Sequence, residues 1–146
     1  MEIKYKKITS IDEFIDAIRI RVDVFIKEQE CPPGWEPDEL DKDSQHYVAT
    51  VKGKIVATAR LREDPHGIAK LERMSVLKEF RGNGIAVGLT SFIVSQAKKQ
   101  GYKKIWMQAQ EQVKRVYQKA GFTVTSNPYD LWNLGIIHVD MELIVE

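Results

Sequence analysis

The segment Arg81-Gly82-Asn83-Gly84-Ile85-Ala86 constrains this chain most, because it joins a strand-like run ending near Val76 to a helical run starting near Gly84. Glycine admits backbone angles and a close approach that a Cβ would block. The first turn of a helix leaves N–H groups unpaired, and its dipole favours an anion beside them. Arg81 adds a permanent positive charge with a fork of donors. A strand, a glycine turn and a helix in this order form a cradle for a pyrophosphate.

The chain has 146 residues, with 22 basic and 21 acidic side chains and a net charge of +1. That length fits a single domain, residues 1–146, with a core of its own. The balanced charge offers nothing to draw nucleic acid, and no apolar run approaches the ~18 residues that span a bilayer. The opening Met-Glu-Ile-Lys-Tyr-Lys-Lys lacks the apolar stretch of a signal peptide. One cysteine, Cys31, leaves no internal disulfide and suits a reducing compartment. These features predict a cytoplasmic protein with no nucleic-acid or membrane partner. His46, His66 and His138 are scattered without ligand-pair spacing, so no metal site is expected.

Residues 2–8 suggest a short strand. Ser10 and Glu13 stand at capping-box spacing, and Ile11, Phe14, Ile15, Ile18, Val22, Phe25 and Ile26 follow at helical spacing. Residues 28–44, with three prolines and seven acids, are expected to form a loop. Tyr47–Val51 and Ile55–Leu61 are expected strands around a hairpin at Lys52-Gly53-Lys54, and Ile68–Val76 is the next. A helix is expected from Gly84 to Gln100, stopped by Gly101. A strand at Lys103–Ala109, a helix through Val113, Val116, Tyr117 and Ala120, and strands at Phe122–Thr125 and Ile136–Val145 complete the order. Antiparallel hairpins followed by two β-α units predict an α/β (α+β) fold: a mixed sheet covered by helices.

Three phosphate motifs compete for the junction. A P-loop requires a lysine that Val87-Gly88-Leu89 does not supply. The dinucleotide fingerprint G-x-G-x-x-G begins with Gly82-Asn83-Gly84, but Gly88 comes one residue late and three antiparallel strands precede it. The third motif fits. Arg81, Gly84 and Ala86 occupy the positions of Arg/Gln-x-x-Gly-x-Gly/Ala, and the chain resembles the GNAT acetyltransferase superfamily. Met74-Ser75-Val76 precedes the loop as that family's fourth strand does, and Tyr117-Gln118-Lys119-Ala120-Gly121-Phe122 resembles its Tyr-x-x-x-Gly-Phe ending. Arg21 to Gln29 with Cys31-Pro32, then Glu36 and Asp38, Gln108-Ala109-Gln110, Pro128-Tyr129-Asp130 and Gly135 to Met141 resemble its ElaA/YjcF-like branch.

The resemblance implies a GNAT fold with about six to seven strands, splayed between the fourth and fifth. It implies acetyl-coenzyme A as cosubstrate and an amine, small or on a protein, as acceptor. Met74, Ser75, Val76, Arg81, Gly82, Asn83, Gly84, Ile85, Ala86, Gln110 and Tyr117 would hold the coenzyme. A backbone N–H near Met74 or Ser75 would polarise the thioester carbonyl. Tyr117 would protonate the leaving thiolate; otherwise it only fills the core beside Val113 and Val116. Glu72, expected on the same strand face as Met74 and Val76 if no bulge intervenes, is the first candidate to take the amine's proton, and His138 the second. Arg21, Glu28, Gln108 and His138 are the expected acceptor-side residues. Glu28 with Glu36, Asp38 and Asp41 would favour a cationic amine. Cys31 as an acetyl-carrying nucleophile is the lesser alternative. The same loop would serve a non-catalytic acyl-coenzyme A sensor, which turnover separates from an enzyme. An exposed strand edge or the C-terminal strands would be where two copies pair.

Overall fold

The computed structural model describes residues 1–145. β1 (Ile3–Lys7) leads into α1 (Ile11–Arg21), where the Ser10 hydroxyl accepts from the Glu13 N–H at 3.2 Å. The other half of the expected capping box is diverted: Glu13 accepts from the N–H and hydroxyl of Thr9. The helix then widens into π turns over Val22–Glu28. The extra residue per turn, of a kind frequent at functional sites, brings Glu28 and Gln29 over the centre of the sheet. Residues 29–44 hold a 3-10 turn at Glu39–Asp43, capped by Asp38.

β2 (Gln45–Val51), β3 (Lys54–Glu63) and β4 (Ala69–Val76) form an antiparallel meander. Lys52 and Gly53 turn the first hairpin with φ of 51° and 79°, the paired positive angles that suit right-twisted strands. After the glycine turn come α2 (Ile85–Lys99), β5 (Lys104–Gln110), α3 (Lys114–Lys119), β6 (Thr123–Val124), β7 (Tyr129–Asp130) and β8 (Ile137–Ile144). The eight strands run β1-β2-β3-β4-β5-β8-β6, with β7 also on β8. The strand beyond the expected number is β7, whose two residues are too few for alternation to signal.

β4 and β5 are the parallel pair, joined only at Ala69↔Ile105 and Lys70↔Trp106. From Leu71 to Val76 that edge of β4 has no strand partner, which is the expected splay. α2 covers one face of the sheet. Leu89, Ile93 and Ala97 are fully buried there against Tyr47, Ala59, Leu61 and Leu71. Truncating one such leucine or isoleucine to alanine costs about 2–5 kcal/mol. α1 and residues 29–44 cover the other face, to which β3 and β4 alternate Thr58, Arg60, Arg62, Lys70 and Glu72.

That alternation is broken once. Thr58 pairs with Ser75 and Arg60 with Glu72, so β4 has one residue more than β3 between the two pairs. The bulge falls at Arg73, whose φ is 59°. It puts Glu72 on the face of Ser75, not with Met74 and Val76, contrary to the strict alternation expected from the sequence. No helix among the described residues is long and apolar enough to cross a membrane.

Candidate active site

The splay opens a cleft of about 810 Å³ lined by β4, β5, the glycine turn, the π turns and α3. At one end lies the turn. Gly82 and Gly84 have φ of 82° and 74°. A Cβ at either would meet nothing within 4 Å, so the backbone conformation, not crowding by the protein, requires glycine. Among the described residues, none of the N–H groups of residues 82–87 donates a hydrogen bond; the first helical bond behind them is Gly88 N–H to Gly84 O at 3.0 Å. Six successive donors at a helix start make a nest for an anion. Gly88 has another purpose: a Cβ there would lie 1.9 Å from the Tyr5 hydroxyl, so this glycine serves packing against β1.

Arg81 is fixed by its Nε–H to Val76 O at 3.0 Å and by two bonds to Glu28 at 2.7 and 2.8 Å. The hydrogen bond and charge of Arg81 hold the Glu28 carboxyl below its ordinary pKa. A guanidinium carries five donors, so two remain for another anion. Asn83 turns back, donating to Phe80 O at 3.0 Å. Met74, Val76, Ile85 and Ala86 line the cleft, as does Ser75, whose hydroxyl donates to Arg73 O at 3.2 Å.

At the other end the face between α1 and the sheet is ionic. Arg21 bonds both oxygens of Asp41, at 2.7 and 3.0 Å, and its Nε–H bonds Glu36. Arg60 bonds Asp38 at 2.6 Å, Asp41 at 2.9 Å and Glu72 at 3.1 Å. Arg73 bonds Glu36 at 2.7 Å and Asp38 at 3.1 Å. Two sequence expectations change here. Arg21 is 1 % exposed, is not among the residues that line the cleft, and spends its donors on Asp41 and Glu36, so it is placed as a structural residue and not at the acceptor side. Glu36, Asp38 and Asp41 are neutralised by arginines and do not make the pocket acidic.

Glu72 contacts three cations: Arg60, Arg62 at 2.6 Å and Lys70 at 3.2 Å. Burial alone would raise its pKa, but the hydrogen bond from Arg62 and the charges of Arg60, Lys70 and Arg62 pull it down to about 2. Such a group is a permanent carboxylate and a poor acceptor of protons at neutral pH.

His138 has the geometry Glu72 lacks. It is 1 % exposed overall and lines the cleft. Its Nδ1 lies 2.9 Å from Ile136 O. A carbonyl only accepts, so Nδ1 carries the hydrogen and Nε2 the lone pair. Nε2 has no hydrogen-bond partner among the described residues, yet it is not one of the orphaned polar atoms sealed from solvent. Burial lowers the imidazole pKa, and the Trp132 ring meets it edge-on at 4.6 Å. The imidazole is therefore neutral and fixed, with an open acceptor.

Tyr117 lines the cleft at 7 % exposure, and burial raises its phenol pKa. Its carbonyl accepts from Phe122 N–H at 3.0 Å, and the two rings meet at 6.4 Å. That turn is what the Tyr-x-x-x-Gly-Phe spacing encodes. Gln110 lines the cleft but exchanges amide bonds with Gln29 at 2.8 and 3.3 Å, so the end of the π turns and the residue that caps them clasp both the glycine turn and β5. Gln108 accepts from Lys70 at 2.8 Å. Cys31 is buried with Ile20, Val24 and Phe25; burial raises its thiol pKa, the opposite of what a nucleophile requires. Arg60, Arg62, Lys70 and Arg73 join this site without any local motif that marks them, whereas Trp132 stands in the cleft wall.

Residues 13–145 match the family described as Acetyltransferase (GNAT) domain. BSU40680 of Bacillus subtilis is 37 % identical over 139 residues, covering 93 % of this chain and 92 % of that protein. YjcF of Bacillus subtilis, named an uncharacterized N-acetyltransferase, is 34 % identical over 130 residues, covering 89 % and 91 %. The crystal structure of Escherichia coli ElaA has the same fold, with a TM-score of 0.84 at 21 % identity over 97 % of this chain and 99 % of that one.

Proposed function

As the chain belongs to the GNAT acetyltransferase family, in its ElaA/YjcF-like branch, and is an acyltransferase, we propose that it moves an acetyl group directly from acetyl-coenzyme A to an amine. The observation that carries this reading is the run of undonated N–H groups at residues 82–87, opening onto the same cleft as the strand-free edge of β4. Six donors and the spare donors of Arg81 suit a diphosphate. The open edge of Met74 to Val76 suits the amides of the pantetheine arm. Acetyl-coenzyme A supplies an activated acyl carbon and a thiol leaving group.

The chain's own residues then divide the proton work. His138 Nε2 takes the proton that the amine sheds as its nitrogen bonds to the acyl carbon. Tyr117 gives its phenolic proton to the sulfur as the carbon–sulfur bond breaks, and recovers one from solvent. Glu72 stays ionised and fixes Arg62 and Lys70. Free thiol released from acetyl-coenzyme A across an amine panel tests the reading. Amine-dependent release, cut about a hundredfold in Tyr117→Phe, is expected. Tight binding of acetyl-coenzyme A without release to any amine would make the protein a sensor.

A further inference from the structure

The two ends of the cleft differ in how their charges balance. At the wall behind α1, Arg21, Arg60 and Arg73 stand against Glu36, Asp38 and Asp41, three cations to three carboxylates. The floor beyond is not balanced. Among the described residues, Arg62 and Lys70 pair with Glu72 alone, and Arg60 shares it. Asp64 accepts from the Trp106 indole and Asp140 from the Tyr129 hydroxyl; neither pairs with Arg62 or Lys70, and neither lines the cleft. Glu28 is engaged by Arg81. Lys70 is held on three sides: by Glu72 at 3.2 Å, by Gln108 at 2.8 Å and by the face of Trp106, whose centroid is 4.7 Å from Nζ. This is a fixed, half-dry positive floor on the side of the sheet where His138 sits.

An amine reaches neutral solution as a cation. A floor with surplus positive charge repels a simple amine or a polyamine, unless the molecule brings a negative group of its own. From this surplus, and resting on the acetyl-transfer reading above, we propose that the acceptor is an amine that also carries a carboxylate, of the α-amino acid kind, with the carboxylate received by Arg62 and Lys70. The same charges lower the pKa of the bound ammonium. That eases loss of its proton to a histidine whose own pKa is depressed. Arg62 and Lys70 are thus specificity-determining residues, and Glu72 holds the pair in place.

The test measures thiol release with α-amino acids, their carboxamides and aliphatic diamines. The wild type should prefer the acid to its carboxamide by about tenfold or more in kcat/KM. Arg62→Gln and Lys70→Gln should each shrink that ratio severalfold, through KM. Arg62 is the more exposed of the two, so its variant guards against a folding defect at Lys70. Turnover of diamines or carboxamides in preference to acids, or an unchanged ratio in both variants, would overturn this inference and leave acetyl transfer standing. Binding of acetyl-coenzyme A with no amine-dependent release from any acceptor would overturn both.

Discussion

Glu28 and Arg81 are locked by two parallel hydrogen bonds, at 2.7 and 2.8 Å, which tie the acceptor-side π turns to the glycine turn. Both side chains are more than a third exposed, and such a pair contributes only about 0–1 kcal/mol to stability. Arg81→Ala therefore folds normally. It should weaken coenzyme A binding about tenfold, with much less effect on pantetheine, which lacks the diphosphate. Titration calorimetry with both ligands checks this, and equal losses for both would mean that Arg81 touches no phosphate.

His138→Gln keeps a polar side chain of similar reach but removes the basic nitrogen. Loss of a general base typically costs 10²–10⁴-fold. A fall of about that size in kcat is expected, with coenzyme A affinity kept. The acid limb of wild-type kcat should lie below the ordinary histidine range, since burial lowers the group's pKa. A variant within a few-fold of wild type would remove His138 from the chemistry.

The ionic face makes a prediction about acid. Glu72 has a folded pKa of about 2, depressed from 4.5. Asp38 and Asp41 are likewise lowered: burial opposes this, but the arginines beside them prevail. Depressed carboxylates contribute stability that is fully present above the unfolded value and is lost as pH falls toward the folded one. Melting temperature should begin to fall below about pH 6.5, where burial makes His46 and His138 resist protonation. It should drop more steeply, by roughly 10 °C, from about pH 5 to about pH 3 as the paired carboxylates are protonated. Glu72→Gln should melt lower at pH 7 and fall less steeply with acid. Parallel curves would mean that Glu72 does not contribute to the acid transition.

Gly88→Ala tests the packing of β1 on α2. The new methyl would collide with the Tyr5 hydroxyl and ring carbon, at 1.9 and 2.5 Å. A loss of about 1–3 kcal/mol is expected from overpacking. In a Tyr5→Ala background the same change should cost almost nothing, because the obstacle is gone. Urea denaturation of the four proteins measures the coupling.

Much of this architecture was legible in the chain because its signals are local. The glycine turn, the Lys52-Gly53 hairpin and the Tyr117–Phe122 turn each depend on residues within a few positions of one another, and each lies where the sequence placed it. The ionic face was not legible, because Arg60, Glu72 and Asp41 meet only through strand pairing and the return of residues 29–44. A signal was present nonetheless. Arg60 and Arg62 alternate with Ala59 and Leu61, as Lys70 and Glu72 do with Ala69 and Leu71. Two neighbouring strands with charges at every second position announce a polar sheet face. The acids of residues 36–41 suggested a cationic acceptor only while their arginine partners were unseen. The bulge at Arg73 left no mark in the alternation and moved Glu72 to the other face.

The central claim is that the N–H groups of residues 82–87 receive the diphosphate of coenzyme A. Amide-resolved NMR during titration with coenzyme A tests it most directly. The account predicts the largest downfield amide proton shifts within residues 82–87, absent when pantetheine replaces coenzyme A. Unmoved amides there, at coenzyme A concentrations that shift resonances elsewhere in the protein, would contradict it.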